Sequence, residues 1–267
     1  MNLYYAMIIA SKLEKTFSLH ARKSPSHSVH KSFLSTMSVI SDNLLAVQSR
    51  INHALQAAGR PQTDARLLAV SKTFPPAVVQ EAYDAGIRLF GENKVQELET
   101  KTPVLPNDIE WHLIGHLQQN KVKQAIRHAA WIHSVDSEAL LARINRIAAE
   151  EHAAPKVLIE VNISGEASKF GAMPEQVEAI INAHRNGPAV CQGLMTVAPA
   201  EATEAQLHGI FQSLRLLRNT LQQHLGMALP ELSMGMSHDF EIALAEGATI
   251  VRVGSAIFGH RDYSQHP

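Results

Sequence analysis

The sequence predicts an α/β fold, a single (β/α)8 TIM barrel, and three observations lead there. Eight short apolar runs recur along the 267 residues, each bounded by turn signals and each followed by a helical pattern. Strands alternating with helices imply a parallel sheet, and eight of them suit a closed barrel better than an open one. No glycine-rich dinucleotide fingerprint follows the first run, which argues against a Rossmann fold and leaves an open doubly wound sheet as the second choice.

In chain order, a capped helical pattern is expected from Ser41 through Leu44, Leu45, Val47, Ile51 and Leu55, with a stop at Gly59 and Pro61. The first strand is Leu67–Val70, ending in Ser71-Lys72, and a helix runs from Pro76 to Ala85. Ile87–Phe90 is the second run, ending in Gly91-Glu92-Asn93, before a helix containing Val95 and Leu98 that Pro103 breaks. Trp111–Ile114 precedes a helix over Gln118–Ala129, and Trp131–Val135 precedes an amphipathic helix over Leu140–His152, with Asp136-Ser137 as its cap. Val157–Val161 is the most strand-like run. Its following loop, Ile163–Met173, either covers a site or is an ordinary exposed loop with Lys169 solvated. Pro174–His184, Val190–Leu194, Glu201–Leu225, Leu232–Met236, Phe240–Glu246 and Ile250–Val253 continue the alternation, with a last turn before Gly259.

Composition excludes several classes. A net charge of −1 and a pI near 7 suggest neither a nucleic-acid groove nor a polybasic membrane surface, and no run has transmembrane length. The single cysteine, Cys191, cannot form an internal disulfide, so a reducing, cytoplasmic setting is expected. Residues 1–36 differ from the rest, with five Lys/Arg against one acid. They read either as a transit-like peptide or, the favoured choice, as a disordered or mis-started extension ahead of a barrel domain over residues 37–267.

In a barrel every strand end faces one rim, where ligands bind. Lys72 closes the first strand there; a neutral amine between low-dielectric walls can attack a carbonyl, although from this stretch alone a lysine paired or reaching solvent is the favoured reading. Phosphate commonly docks at the loops after strands seven and eight, which here read Gly235-Met236-Ser237-His238 and Arg252-Val253-Gly254-Ser255-Ala256. A lysine opposite an anion corner points to a phosphorylated carbonyl compound, either pyridoxal 5′-phosphate (PLP) or a sugar phosphate. Arg252 shares a strand face with Gly254 and so lines the interior near the rim, as a ligand contact or as half of a buried ion pair with Glu160.

The motifs AVSKT (69–73), FGENKVQE (90–97), WHLIGHLQQNK (111–121), IHSVDS (132–137), EVNISGEASKFG (160–171), GLMTVAP (193–199), LSMGMSHDFEIA (232–243) and VRVGSAIFG (251–259) closely resemble the pyridoxal phosphate homeostasis protein family. The resemblance implies a barrel like the N-terminal domain of alanine racemase (PLP fold type III). It also implies PLP held by Lys72 as an internal aldimine, and a role in vitamin B6 homeostasis without robust turnover. By the same resemblance Ser237, Gly254 and Ser255 hold the phosphate, Arg252 faces the pyridine nitrogen, and Asn93 and Met195 line the cofactor. Racemisation needs acid–base groups on both faces of an α-carbon. Alanine racemase takes its second one, a tyrosine, from a C-terminal β domain that is not expected here, and Tyr4, Tyr5, Tyr83 and Tyr263 all fall away from strand ends. A PLP-dependent racemase and a class I aldolase remain the alternatives. The expected partners are PLP and the PLP-dependent apoenzymes that accept it, with no nucleic acid and no membrane, and the chain is expected to be a monomer. His112 and His116 straddle a strand end without an intervening HExxH glutamate, so no metal is expected, and His133 reads as a packed strand histidine.

Overall fold

The computed structural model describes residues 38–166 and 169–259; the expected extension lies outside them. Helix α1 (Val39–Ala57) is capped by Ser38, whose hydroxyl accepts from the Ser41 N–H, three residues earlier than the apolar pattern indicates. Its stripe of Ile40, Leu44, Val47, Ile51 and Leu55 is buried against the barrel's outer layer.

The eight strands are β1 (Arg66–Val70), β2 (Leu89–Glu92), β3 (Glu110–Leu113), β4 (Trp131–Val135), β5 (Lys156–Glu160), β6 (Val190–Met195), β7 (Glu231–Ser233) and β8 (Ile250–Val253). Each pairs in parallel with the next, and β8 pairs back to β1 through Arg66↔Ile250 to Ala69↔Val253, so the sheet closes. That ladder rules out the open sheet. Helices α2 (Pro76–Asp84), α3 (Val95–Lys101), α4 (Val122–His128), α5 (Glu138–Glu150), α6 (Pro174–His184), α7 (Glu204–Leu225) and α8 (Phe240–Ala245) each connect one strand to the next, and α9 (Ser255–Phe258) follows β8.

Several boundaries moved for identifiable reasons. β2 runs two residues later than Ile87–Phe90 suggests, because Gly91 and Glu92 continue the ladder opposite His112 and Leu113. A Cβ at Gly91 would come within 3.3 Å of Leu68, so the glycine permits close interior packing and does not end the strand. β7 stops at Ser233 because Gly235 turns the chain at φ 90°. The expected Gln118–Ala129 helix divides into a 3₁₀ turn over Gln119–Lys121 and then α4. Helix α7 begins at Glu204, where Thr203 and Gln206 form a capping box. Ser137 sits at the N-cap of α5, but its hydroxyl donates to Asp136 and makes no cap bond.

Inside the barrel, the first residues of β1, β3, β5 and β7 form a charged layer. Arg66 lies 2.6 Å from Glu231 and 4.0 Å from Glu110, and Lys156 lies 3.7 Å from Glu110. One side chain from each alternate strand is the usual layering of such an interior. The Trp131 ring carries the Arg66 and Lys156 cations at 5.5 and 4.8 Å, and packs on Leu158 and Met195.

Candidate functional site

The carboxyl ends of the strands open onto a cavity of about 370 Å³ lined by Val70, Lys72, Asn93, Ile114, Val197, Met236, Ser237, His238, Arg252, Gly254 and Ser255. Six of the seven residues expected at the site are therefore brought together. Met195 is not; it is buried one layer lower, with Trp131 and Leu158, because inward positions alternate along β6 and Val197 takes the position at the rim. Val70, Ile114, Val197, Met236 and His238 were not foreseen; the strand-end position of Val70 and Ile114 was the available signal.

Lys72 is exposed at the mouth and is not enclosed by low-dielectric walls. Its backbone, by contrast, is held on both sides. On one side, the Ser71 hydroxyl donates to Glu92 at 2.7 Å, while Lys101 donates to Glu92 at 2.6 Å and to the Ser71 carbonyl at 3.0 Å. On the other, the Thr73 N–H donates to the Glu97 carboxylate, with Thr73 in the left-handed region at φ 71°. Burial pushes the Glu92 carboxyl up to about 7 against the pull of Lys101 and Ser71.

Beside β1, at the ends of β7 and β8, the Ser237 hydroxyl accepts from the Gly254 and Ala256 N–H groups at 3.3 and 3.5 Å. A Cβ on Gly254 would meet the Val70 carbonyl at 3.2 Å, so glycine lets the β8–α9 turn lie close to β1. Asn43 of α1 donates to the Ile257 carbonyl at 2.9 Å and ties α9 down.

Arg252 is 4 % exposed and donates to Ser233 Oγ at 2.8 Å and to the Thr196 carbonyl at 2.9 Å. These are its close partners, whereas Glu160 acts on it only through charge, so the buried ion pair considered from the sequence is replaced by hydrogen bonds. Burial pulls the guanidinium down to about 10 against the opposing charges of Asp239 and Glu160. Sequence reasoning missed what lies behind it: His133, His112 and Glu110 continue the hydrogen bonding through the interior. Among the described residues there is no group of acids, cysteines and histidines that could hold a metal.

A second cavity of about 210 Å³ shares Val197 with the first and is lined by Glu160, Val161, Asn162, Lys169 and Phe170. Lys169 is not simply solvated; it reaches the Val197 carbonyl at 3.4 Å. Phe170 stacks on His116 with centroids 4.2 Å apart. Burial and the neighbouring Asp136 raise the Glu160 carboxyl to about 7. Between the unfolded value near 4.5 and that value, the native state holds a proton that the unfolded chain has lost, so stability falls as pH rises through this window. The cost once the group is ionised reaches about 3 kcal/mol. His112 and His133 act in the opposite sense: burial keeps both neutral, so stability falls as acid protonates them in the unfolded chain. Glu160→Gln isolates the first effect. Its stability relative to wild type should grow from about pH 5 to about pH 8 in denaturant titrations; a pH-independent difference would contradict it.

The alanine racemase N-terminal domain family profile matches residues 43–262. The chain is 44% identical over 224 residues to the pyridoxal phosphate homeostasis protein of Aquifex aeolicus, covering 83% of this chain and 98% of that one. It is 37% identical over 234 residues to the protein of the same name from Escherichia coli K12, covering 86% and 100%. Among solved structures it resembles PipY of Synechococcus elongatus with PLP bound, at 40% identity and a TM-score of 0.74 over 82% of this chain and all of that one. It also resembles a lysine/ornithine decarboxylase from Vibrio vulnificus at 17% identity and a TM-score of 0.62, over 82% of this chain and 61% of that one, which speaks to the fold alone.

Proposed function

Since the chain belongs to the pyridoxal phosphate homeostasis protein family, whose barrel is the alanine racemase N-terminal domain, we propose that it binds pyridoxal 5′-phosphate at the mouth of the barrel and takes part in keeping that cofactor available. The observation that carries this reading is the donor set of one cavity. A single amine, Lys72, shares its lining with two hydroxyls, a glycine N–H and a guanidinium, and the strands that end in Lys72 and Gly254 are neighbours in the sheet. An aldehyde, a phosphate and a pyridine nitrogen are complementary to those three parts, and the volume suits a small cofactor.

When bound, PLP supplies an aldehyde that amines attack and a ring that withdraws electrons. Lys72 is the amine that joins the aldehyde. Ser237, Ser255 and the Gly254 N–H bind and orient the phosphate, and a side chain at Gly254 would crowd the Val70 carbonyl. Asn93 lines the wall at the end of β2, on the other side of β1 from that corner, and Met195 supports the floor from one layer below. Arg252 would bring a permanent positive charge to the ring nitrogen, which would oppose protonation there and weaken the ring as an electron sink. This favours holding and handing over the cofactor, with PLP-dependent apoenzymes as the acceptors, above fast chemistry on amino acids. A monomer in the cytoplasm is the corresponding setting; among the described residues no helix is long and apolar enough to cross a membrane.

The racemase alternative has one observation in its favour: His238 also lines the cavity and could serve as a second acid–base group. Two measurements decide between them. Adding PLP to the protein should produce a visible band unlike that of the free aldehyde, and borohydride followed by peptide mass mapping should place the label on Lys72. A label elsewhere, or none, ends the binding reading. Incubation with amino acids in deuterated water should give no catalytic exchange of α-protons, whereas multiple turnovers would establish an enzyme.

A further inference from the structure

A continuous hydrogen-bonded chain crosses the barrel from the cavity wall to the opposite rim. Arg252 Nη1 donates to Ser233 Oγ at 2.8 Å, and Ser233 Oγ meets His133 Nδ1 at 3.0 Å. His133 Nε2 then meets His112 Nδ1 at 2.9 Å, and His112 Nε2 meets Glu110 Oε1 at 3.2 Å. The five residues come from β8, β7, β4 and β3, and Ser233, His133 and His112 are fully buried.

Chemistry fixes the direction of every bond. Glu110 faces Arg66 and Lys156 as well as His112, and these neighbours hold its carboxyl down at about 2, so it can only accept. His112 must therefore carry its proton on Nε2. Burial keeps the ring neutral, which leaves Nδ1 bare and makes His133 the donor through its own Nε2. His133 Nδ1 is then bare in turn, so the Ser233 hydroxyl donates to it and accepts from Arg252. Arg252 has no acceptor atom and can only donate, which is compatible with this order; the direction itself is set from the Glu110 end. The other groups around Glu110 are Glu231, which takes the second face of Arg66 at 2.6 Å, and the Trp131 ring beneath both cations.

We infer that Ser233, His133, His112 and Glu110 are positioning residues for the cofactor site: a one-way relay, ending on a carboxylate at the amino-terminal rim, that fixes Arg252 against the cofactor ring and lets charge at the far rim bear on it. The inference rests on the PLP reading given above. A serine alone at the Arg252 contact would anchor the guanidinium loosely, since its hydroxyl rotates freely. With His133 taking the hydroxyl proton, the oxygen lone pairs face Arg252, and bonds in series polarise one another toward the anion.

Histidine 15N NMR of the cofactor-free protein tests the relay itself, with the two rings assigned by their loss in His112→Gln and His133→Gln. Both should be Nε2–H tautomers with bare Nδ1 and should not titrate in the ordinary histidine range, because burial holds both rings neutral. A proton on Nδ1 of either ring, or a titration in that range, overturns the relay. The second measurement is the pH at which the bound chromophore changes colour. Ser233→Ala frees Arg252 to move away, which relieves like-charge repulsion, so this midpoint should rise by about one unit. Glu110→Gln keeps an acceptor for His112 and removes only the far carboxylate charge, so it should lower the midpoint by a smaller amount. Unmoved midpoints in both folded variants overturn the coupling. Wild-type protein that takes up no PLP defeats the cofactor reading and the coupling together, whereas the NMR result stands or falls on its own.

Discussion

Lys72→Ala is expected to abolish the visible band and nearly all of the stabilisation that PLP confers, while leaving the cofactor-free fold unchanged. The two halves of this prediction come from different features of one residue. Lys72 is exposed and its side chain supports no core contact, so its removal should alter intrinsic stability by no more than about 0.5 kcal/mol. A ligand that binds only the native state stabilises it by roughly 2.7 kcal/mol at a hundred times its dissociation constant. Without the amine, the hydroxyls at the phosphate corner and Arg252 remain, but they supply only reversible contacts. An affinity loss of about 100-fold, equivalent to roughly 2.7 kcal/mol, would remove the thermal shift at the same PLP concentration. Thermal melts of both proteins with and without PLP, beside their absorption spectra, make the comparison. A variant that keeps both the band and the shift would transfer the covalent role to another amine, with Lys169 in the adjoining cavity the first to examine.

The barrel was legible in the sequence because its signal is repeated eight times, and an error of two residues in one strand does not alter the count. The mouth of the site was legible for a related reason: Lys72, Asn93, Ser237, Arg252, Gly254 and Ser255 all occupy strand ends, and closure sends every strand end to one rim. Residues that act across the barrel were not legible. Glu110, His112, His133 and Ser233 sit at ordinary inward positions of three different strands, and only the closed geometry brings His133 to Ser233, 100 residues away. Met195 shows the limit of reading depth: parity along β6 gives the correct face, but not which inward layer reaches the cavity. Glu92 and Lys101 were hidden by a reasonable rule, since Gly-Glu-Asn after an apolar run looks like a turn. The ladder nevertheless extends through it because Lys101, reaching back from α3, makes a buried carboxylate tolerable at that position.

That buried pair carries the second large effect. Lys101→Met should destabilise the protein by about 3–5 kcal/mol near neutral pH, the range for leaving one partner of a buried ion pair uncompensated. Both side chains are almost inaccessible, at 5 % for Lys101 and 0 % for Glu92, so water cannot replace the ammonium. With Lys101 gone, Glu92 keeps only the Ser71 hydroxyl, and its carboxyl must rise above the value near 7 that it already reaches. The sign of the pH dependence follows: the variant holds a proton that its unfolded chain releases above about 4.5, so its stability recovers on acidification and falls as pH rises. Against a total of about 5–15 kcal/mol for a native protein, the loss at neutral pH would be large enough to see as a shifted denaturation midpoint. Adding Glu92→Gln removes the buried charge and should restore most of the stability. It should not restore PLP binding to the same degree, because the Lys101 contact with the Ser71 carbonyl, one residue before the reacting amine, stays lost. Equal stabilities for Lys101→Met and wild type across pH would mean that the carboxyl is protonated in both, and that Ser71 alone holds the end of β1.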